Sequence, residues 1–108
     1  MKTGDIIVVA FPFSDQNFYK NRPAVVVNSN LDAYGDIIVC LISSVVPAHI
    51  SSYEIILEPD QENKLRALSV LKVNRIATVE KTMVKAVIGS LSEKEKNQFK
   101  QIFQSLVE

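Results

Sequence analysis

The chain has 108 residues, 47% of them hydrophobic, with twelve basic and twelve acidic side chains and a formal net charge of zero. That is enough apolar material for one compact domain over 1–108, and too much for a disordered chain. Zero net charge excludes the chain-wide cationic footprint of many duplex-DNA binders, but leaves room for a local basic groove.

No stretch approaches the roughly 20 apolar residues of a membrane span. The opening MKTGD meets glycine and acid at once, unlike a signal peptide. The one cysteine, Cys40, excludes an intramolecular disulfide framework and reads as a small core hydrophobe inside DIIVCLI. A reducing, cytoplasmic compartment is expected.

Three apolar runs lead the chain: Ile6–Phe11, Ala24–Val27 and Ile37–Ile42. Each is short and rich in valine and isoleucine, which predicts strands. Both faces of each run are apolar, a pattern common in parallel sheets. The connections are too short and turn-like for helical crossovers, since 12–23 begins and ends on proline and 28–35 reads NSNLDAYG. Antiparallel strands curled into a small barrel, covered by a helix or a second subunit, fit instead.

Between the first two runs, Pro23 fixes its own φ and biases Arg22 toward extended geometry. This predicts a cation held on the lip of a loop. Further strands are expected at Tyr53–Leu57, Ala67–Val73, Ile76–Val79 and Lys85–Ile88, with single helical turns at QENKL and EKTMV. Basic residues pair up along the chain, Lys20 with Arg22, Lys64 with Arg66 and Lys72 with Arg75, each pair expected in a loop. At the C-terminus SEKE forms a capping box on Ser92. Phe99, Ile102, Phe103, Leu106 and Val107 then recur at helical spacing as one apolar stripe.

Five segments carry a family resemblance: GDIIVVAFPFSD (4–15), NRPAVVVNS (21–29), DIIVCLISS (36–44), LSVLKVNRIATVEK (68–81) and IGSLSEKE (88–95). In this order and spacing they resemble the MazF/PemK toxins of bacterial type II toxin–antitoxin systems. The resemblance implies a mainly β fold, an SH3-like β-barrel of the CcdB/MazF type with a C-terminal helix and short helical turns, usually in a homodimer. It implies an endoribonuclease, or mRNA interferase, that cuts single-stranded RNA with no metal or cofactor. It also implies a cognate antitoxin whose C-terminal peptide lies across the toxin. The related CcdB toxins share the fold and act on DNA gyrase, so a non-catalytic module acting on a protein target is the alternative.

Metal-free RNA cleavage needs attack by the 2′-OH, a proton acceptor, a donor to the leaving oxygen and positive charge at the phosphorane. Arg22 matches the family's loop arginine. Its planar fork suits phosphate, in charge stabilisation or proton donation; taken alone it reads as a surface arginine paired with an acid such as Asp15. Ser43 stands where the family has threonine and keeps the hydroxyl. It is either a phosphate contact or a strand-end serine bonding its own loop, with Ser44 as a weaker substitute.

Lys20, Asn21, Phe18, Tyr19, Lys72 and Asn74 complete the expected RNA contacts. Phe18 and Tyr19 offer stacking surfaces or dimer contacts, while Phe11 reads as core. Asn74 is the amide where some members carry an acid, and Ala77 replaces a frequent arginine, so neither supplies the family's chemistry. His49, the only histidine, reads as a solvated loop residue or a substrate-loop contact. No zinc spacing, phosphate-binding glycine loop or serine–histidine–acid set is present.

Overall fold

The computed structural model describes residues 1–12, 19–29 and 35–108, with the side chains of Pro12 and Tyr19 outside the description. Six strands appear in chain order: β1 (Asp5–Pro12), β2 (Tyr19–Asn28), β3 (Asp36–Ser43), β4 (Glu54–Leu57), β5 (Ser69–Glu80) and β6 (Val84–Ser90). A 3-10 turn at Lys81–Met83 joins β5 to β6, and α1 (Glu93–Ser105) follows. All neighbouring strands run antiparallel.

The sheet order is β4-β5-β3-β2-β1-β6. The fold is mainly β with a C-terminal helix, as expected, but strand pairing leaves the ring open between β4 and β6. The segment after β4 bridges that gap: Ser90 of β6 donates its N–H to the Glu62 carbonyl at 3.0 Å. A Cβ on Gly89 would lie 2.2 Å from that same carbonyl oxygen, so only glycine admits the approach.

The doubly apolar strands are explained by two cores, one on each face of the sheet. Ile6, Val25, Cys40 and Leu71 point to the face covered by α1 and meet Phe99 there. Their neighbours Ile7, Val9, Ala24, Val26 and Val39 form the other core, against which Met83 and Val84 pack. Successive residues of a strand alternate between faces, so a run with no polar side has apolar cover on both.

The helix is specified locally. Ser92 accepts from the Glu95 N–H at 3.1 Å, and Glu95 accepts from the Ser92 N–H at 2.9 Å, completing the capping box. Phe99 is buried and stacks edge-on with Phe103 at 6.1 Å. Burying such a ring is worth about 1.5–3 kcal/mol. Ile102, Phe103 and Leu106 pack on the same core. Val107 does not join the stripe; it lies past the end of α1 and is 85% exposed.

Three local expectations are corrected. β2 begins at Tyr19, so Lys20, Arg22 and Pro23 lie within a strand rather than on a loop. Proline is tolerated there because pairing with β3 begins only at Ala24, leaving one side of the strand outside that ladder. Lys72 and Arg75 likewise lie within β5, which runs through both predicted strands. The third correction is the register of β5. Cys40 pairs with Ile76 but its neighbour Leu41 pairs with Lys72, so Val73, Asn74 and Arg75 are extra residues at a bend.

The bend is held on both sides. The Val73 N–H donates to the Tyr53 carbonyl at 2.9 Å, and the Cys40 thiol donates to the Val73 carbonyl at 3.2 Å. Its effect is a change of face: Leu71 and Val73 belong to the helix-side core, whereas Ala77 and Val79 belong to the opposite one.

The QENKL segment does form a turn, with the Lys64 N–H bonded to the Asp60 carbonyl at 3.0 Å. Asn63 is completely buried in it. Its Oδ1 accepts from the N–H groups of Asp60 and Leu65, and its Nδ2 donates to the Glu58 carbonyl at 2.8 Å. Lys64 is left with φ of +54°, the single positive φ outside glycine among the described residues. No described helix is long and apolar enough to cross a membrane.

Candidate functional site

Arg22 and Ser43 meet because of pairing between β2 and β3. Ala24 pairs with Leu41, and two residues further along each strand stand Arg22 and Ser43. By strand alternation both side chains share the face of Ala24 and Val26. There they border a cavity of about 420 Å³ with Lys72 and Arg75. Phe11, Leu41 and Val45 supply apolar wall.

Arg75 is the residue the sequence reading passed over. Regular alternation would put Asn74 on the face of Lys72, the residue with which the resemblance grouped it. The three-residue bend reverses the parity of β5, so Arg75 shares the cavity with Lys72, while Asn74 is exposed and borders neither cavity described here. The available signal was the basic pair itself; the bend that turns it inward depends on register with β3.

The three cations differ in their partners. Lys72 Nζ lies 3.0 Å from Glu54 Oε2. The Ser51 N–H, then Lys72, hold the Glu54 carboxyl below the usual carboxylate range. Neither Arg22 nor Arg75 forms an ion pair with a described residue. Among the described residues, positive charge in the cavity is therefore unpaired at the two guanidinium groups, which suits an anion with several oxygens.

Ser43 bonds its own loop, as one reading held: its Oγ accepts from the Val45 N–H at 3.1 Å. Accepting that bond leaves the hydroxyl proton available to donate elsewhere. Lys20 is exposed on the same face of β2 as Arg22, two residues nearer the strand start. Phe18 lies outside the described residues, as do Phe13 and Asp15, and the ring of Tyr19 is likewise not described. His49 is exposed in the segment after β3 and does not border the cavity.

Asn21 and Ser44 are drawn elsewhere. They are the next residues beyond Arg22 and Ser43, so they face the other side of the sheet. They border a second cavity of about 620 Å³ with Lys64 and Arg66. Ser69, Leu65 and Ile88 contribute to its wall.

Cys40 takes no part in either cavity. Burial pushes its thiol up to about 12, which keeps it protonated and unreactive. Among the described residues, no group of three or more histidine, cysteine or acidic side chains is arranged to hold a metal ion.

Comparison with known proteins gives one family and a consistent set of folds. The model of the PemK-like, MazF-like toxin of type II toxin-antitoxin systems matches residues 2–107. A MazE-MazF crystal structure from Deinococcus radiodurans is similar with a TM-score of 0.77 at 14% identity, covering 99% of this chain and 95% of the other. The Mycobacterium tuberculosis toxin MazF-mt6 is similar with a TM-score of 0.73 at 17% identity, covering 95% of each chain. An endoribonuclease in complex with its cognate antitoxin, from a mycobacterial species, has a TM-score of 0.72 at 12% identity, covering 99% and 94%. Among the curated proteins, none matches in sequence.

Proposed function

The chain belongs to the PemK-like, MazF-like toxins of type II toxin–antitoxin systems, and from that premise we propose that it is an endoribonuclease cutting single-stranded RNA without a metal. The observation that carries this reading is the gathering of Arg22, Ser43 and Arg75 around one cavity. In the proposed reaction the 2′-oxygen loses its proton to water and forms a bond to the adjacent phosphorus, while the bond to the 5′-oxygen breaks and that oxygen takes up a proton from water. The products are a 2′,3′-cyclic phosphate and a free 5′-hydroxyl.

Charge grows on the phosphoryl oxygens as the new bond forms. Arg22 and Arg75 stabilise it by hydrogen bonds that strengthen in the transition state, and Ser43 donates its hydroxyl proton to one of the same oxygens. A guanidinium stays protonated and does not serve as the base. The carboxylate joined to the cavity wall is Glu54, through Lys72. Its lowered pKa makes it a weaker proton acceptor than an ordinary carboxylate.

A cognate antitoxin is the proposed partner, as in the mycobacterial complex above. A second copy of the chain is also proposed. Val87 on the edge strand β6 is 54% exposed, an apolar surface suited to cover.

Incubating the purified protein with a long RNA in EDTA, then sequencing the fragment ends, tests the reading. Cyclic phosphate ends are expected. Arg22→Ala is expected to lower kcat/KM by about 100- to 1,000-fold, and Arg75→Ala by less. No cleavage across varied RNAs would sink the proposal. Inhibition of gyrase supercoiling without RNA fragments would favour the alternative, a same-fold module acting on a protein target.

A further inference from the structure

The second cavity has no role in the chemistry above. It lies on the opposite face of the sheet, yet begins one residue away: the Arg22 and Ser43 positions border the first cavity, the adjoining Asn21 and Ser44 the second. Both open at the same end of the sheet, where β2 starts and β3 finishes. An extended polymer that rounds this end of the sheet would meet residues of both linings in succession.

The chemistry of the wall names the polymer. Lys64 and Arg66 supply two cations, and no acidic residue among those described borders the cavity. Neither cation forms an ion pair with a described residue. Val8, Pro23 and Leu65 present flat apolar surface beside them. Phosphate charge and the face of a base are both accommodated by such a mixture.

The backbone that carries these exposed cations is held in place. Buried Asn63 ties the turn together from three sides, and the Glu62 carbonyl anchors it on β6 beside Gly89. Lys64 takes its left-handed conformation in this frame, a geometry that costs a residue with a side chain about 1–2 kcal/mol.

We propose that this cavity is a second RNA subsite, taking the nucleotide that neighbours the scissile phosphate and gripping its phosphate with Lys64 and Arg66. The proposal rests on the ribonuclease reading for its direction of approach.

The test measures binding of a fluorescent oligonucleotide of about ten nucleotides in which every 2′-OH is replaced by hydrogen, so that it cannot be cut. The full chain is compared with the double variant Lys64→Gln/Arg66→Gln over a salt series. Each lost phosphate contact on a single strand removes about 0.7 from the slope of log K against log salt, so a drop of about 1.4 is expected. An unchanged slope would overturn the subsite. So would a glutamate-rich peptide that binds more tightly than the oligonucleotide and loses affinity in the variant. Loss of binding that follows a change in sedimentation would also overturn it, showing an interface between copies instead. Because the oligonucleotide cannot be cleaved, a slope drop in a protein that cuts no RNA sinks the ribonuclease reading while leaving the subsite. Cleavage with an unchanged slope does the reverse.

Discussion

Two irregular segments aim cations at the cavities, and they are held by different means. The bend at Val73–Arg75 is set by the sheet: its partners are a backbone carbonyl at Tyr53 and a weakly donating thiol at Cys40. The turn at Asp60–Leu65 is set by one residue, Asn63, whose buried amide makes three hydrogen bonds to the backbone around it. Strand pairing distributes the constraint that aims Arg75 over many residues. For Lys64 and Arg66 it is concentrated in a single side chain. The first segment is expected to tolerate change at its irregular point better than the second.

That contrast is open to direct attack. Asn63→Ala takes the partners from two N–H groups and a carbonyl in a partly buried turn and leaves a small cavity, so a loss of about 2–3 kcal/mol is expected from urea unfolding. Cys40→Ala removes a small buried side chain and a weak donor, and a loss of about 1–2 kcal/mol is expected. If the two variants lose the same stability, the distinction between a distributed and a concentrated constraint fails.

A smaller effect with the opposite sign is expected at Lys64→Gly. Glycine removes the left-handed strain of about 1–2 kcal/mol but makes the unfolded chain freer by about 0.5–1 kcal/mol. The net gain of about 0.5–1 kcal/mol should raise the melting temperature by roughly 4 °C. A fall in melting temperature would show that the turn, as held by Asn63, stores no strain.

The smallest effect concerns pH. Glu54 is held below the usual carboxylate range, first by the Ser51 N–H and then by Lys72. Its folded pKa is the lower one, so its contribution to stability is complete above the ordinary value of about 4.3. That contribution is lost as pH falls through the lower folded value. Glu54→Gln should therefore flatten the dependence of the urea midpoint on pH between about 5 and about 3. Parallel curves for the two proteins would show that the pair next to the cavity has no such linkage.

Much of this was legible residue by residue. Ser92 and Glu95 announce the helix start because a capping box is a local device, closed within four residues. The apolar runs announce strands, and their two apolar faces announce cover on both sides. Arg22 and Ser43 were named on resemblance, and in the structure both border one cavity just beyond the β2–β3 ladder. Asn74 was grouped with Lys72 on the resemblance alone. Arg75 was noted only as the basic partner of Lys72, because a bend opposite Cys40 and Leu41 leaves no mark within β5 itself.

The sequence by itself determined the strands, the capped helix and the family, because each depends on residues close in the chain or on a pattern carried within it. Only the tertiary structure decided which cations share a cavity. That choice depends on the parity of β5, on the turn that joins β4 to β6, and on which face of β2 each residue takes. The first and last are set by strand pairing, and the turn, shaped by Asn63, is docked on β6 through the Glu62 carbonyl.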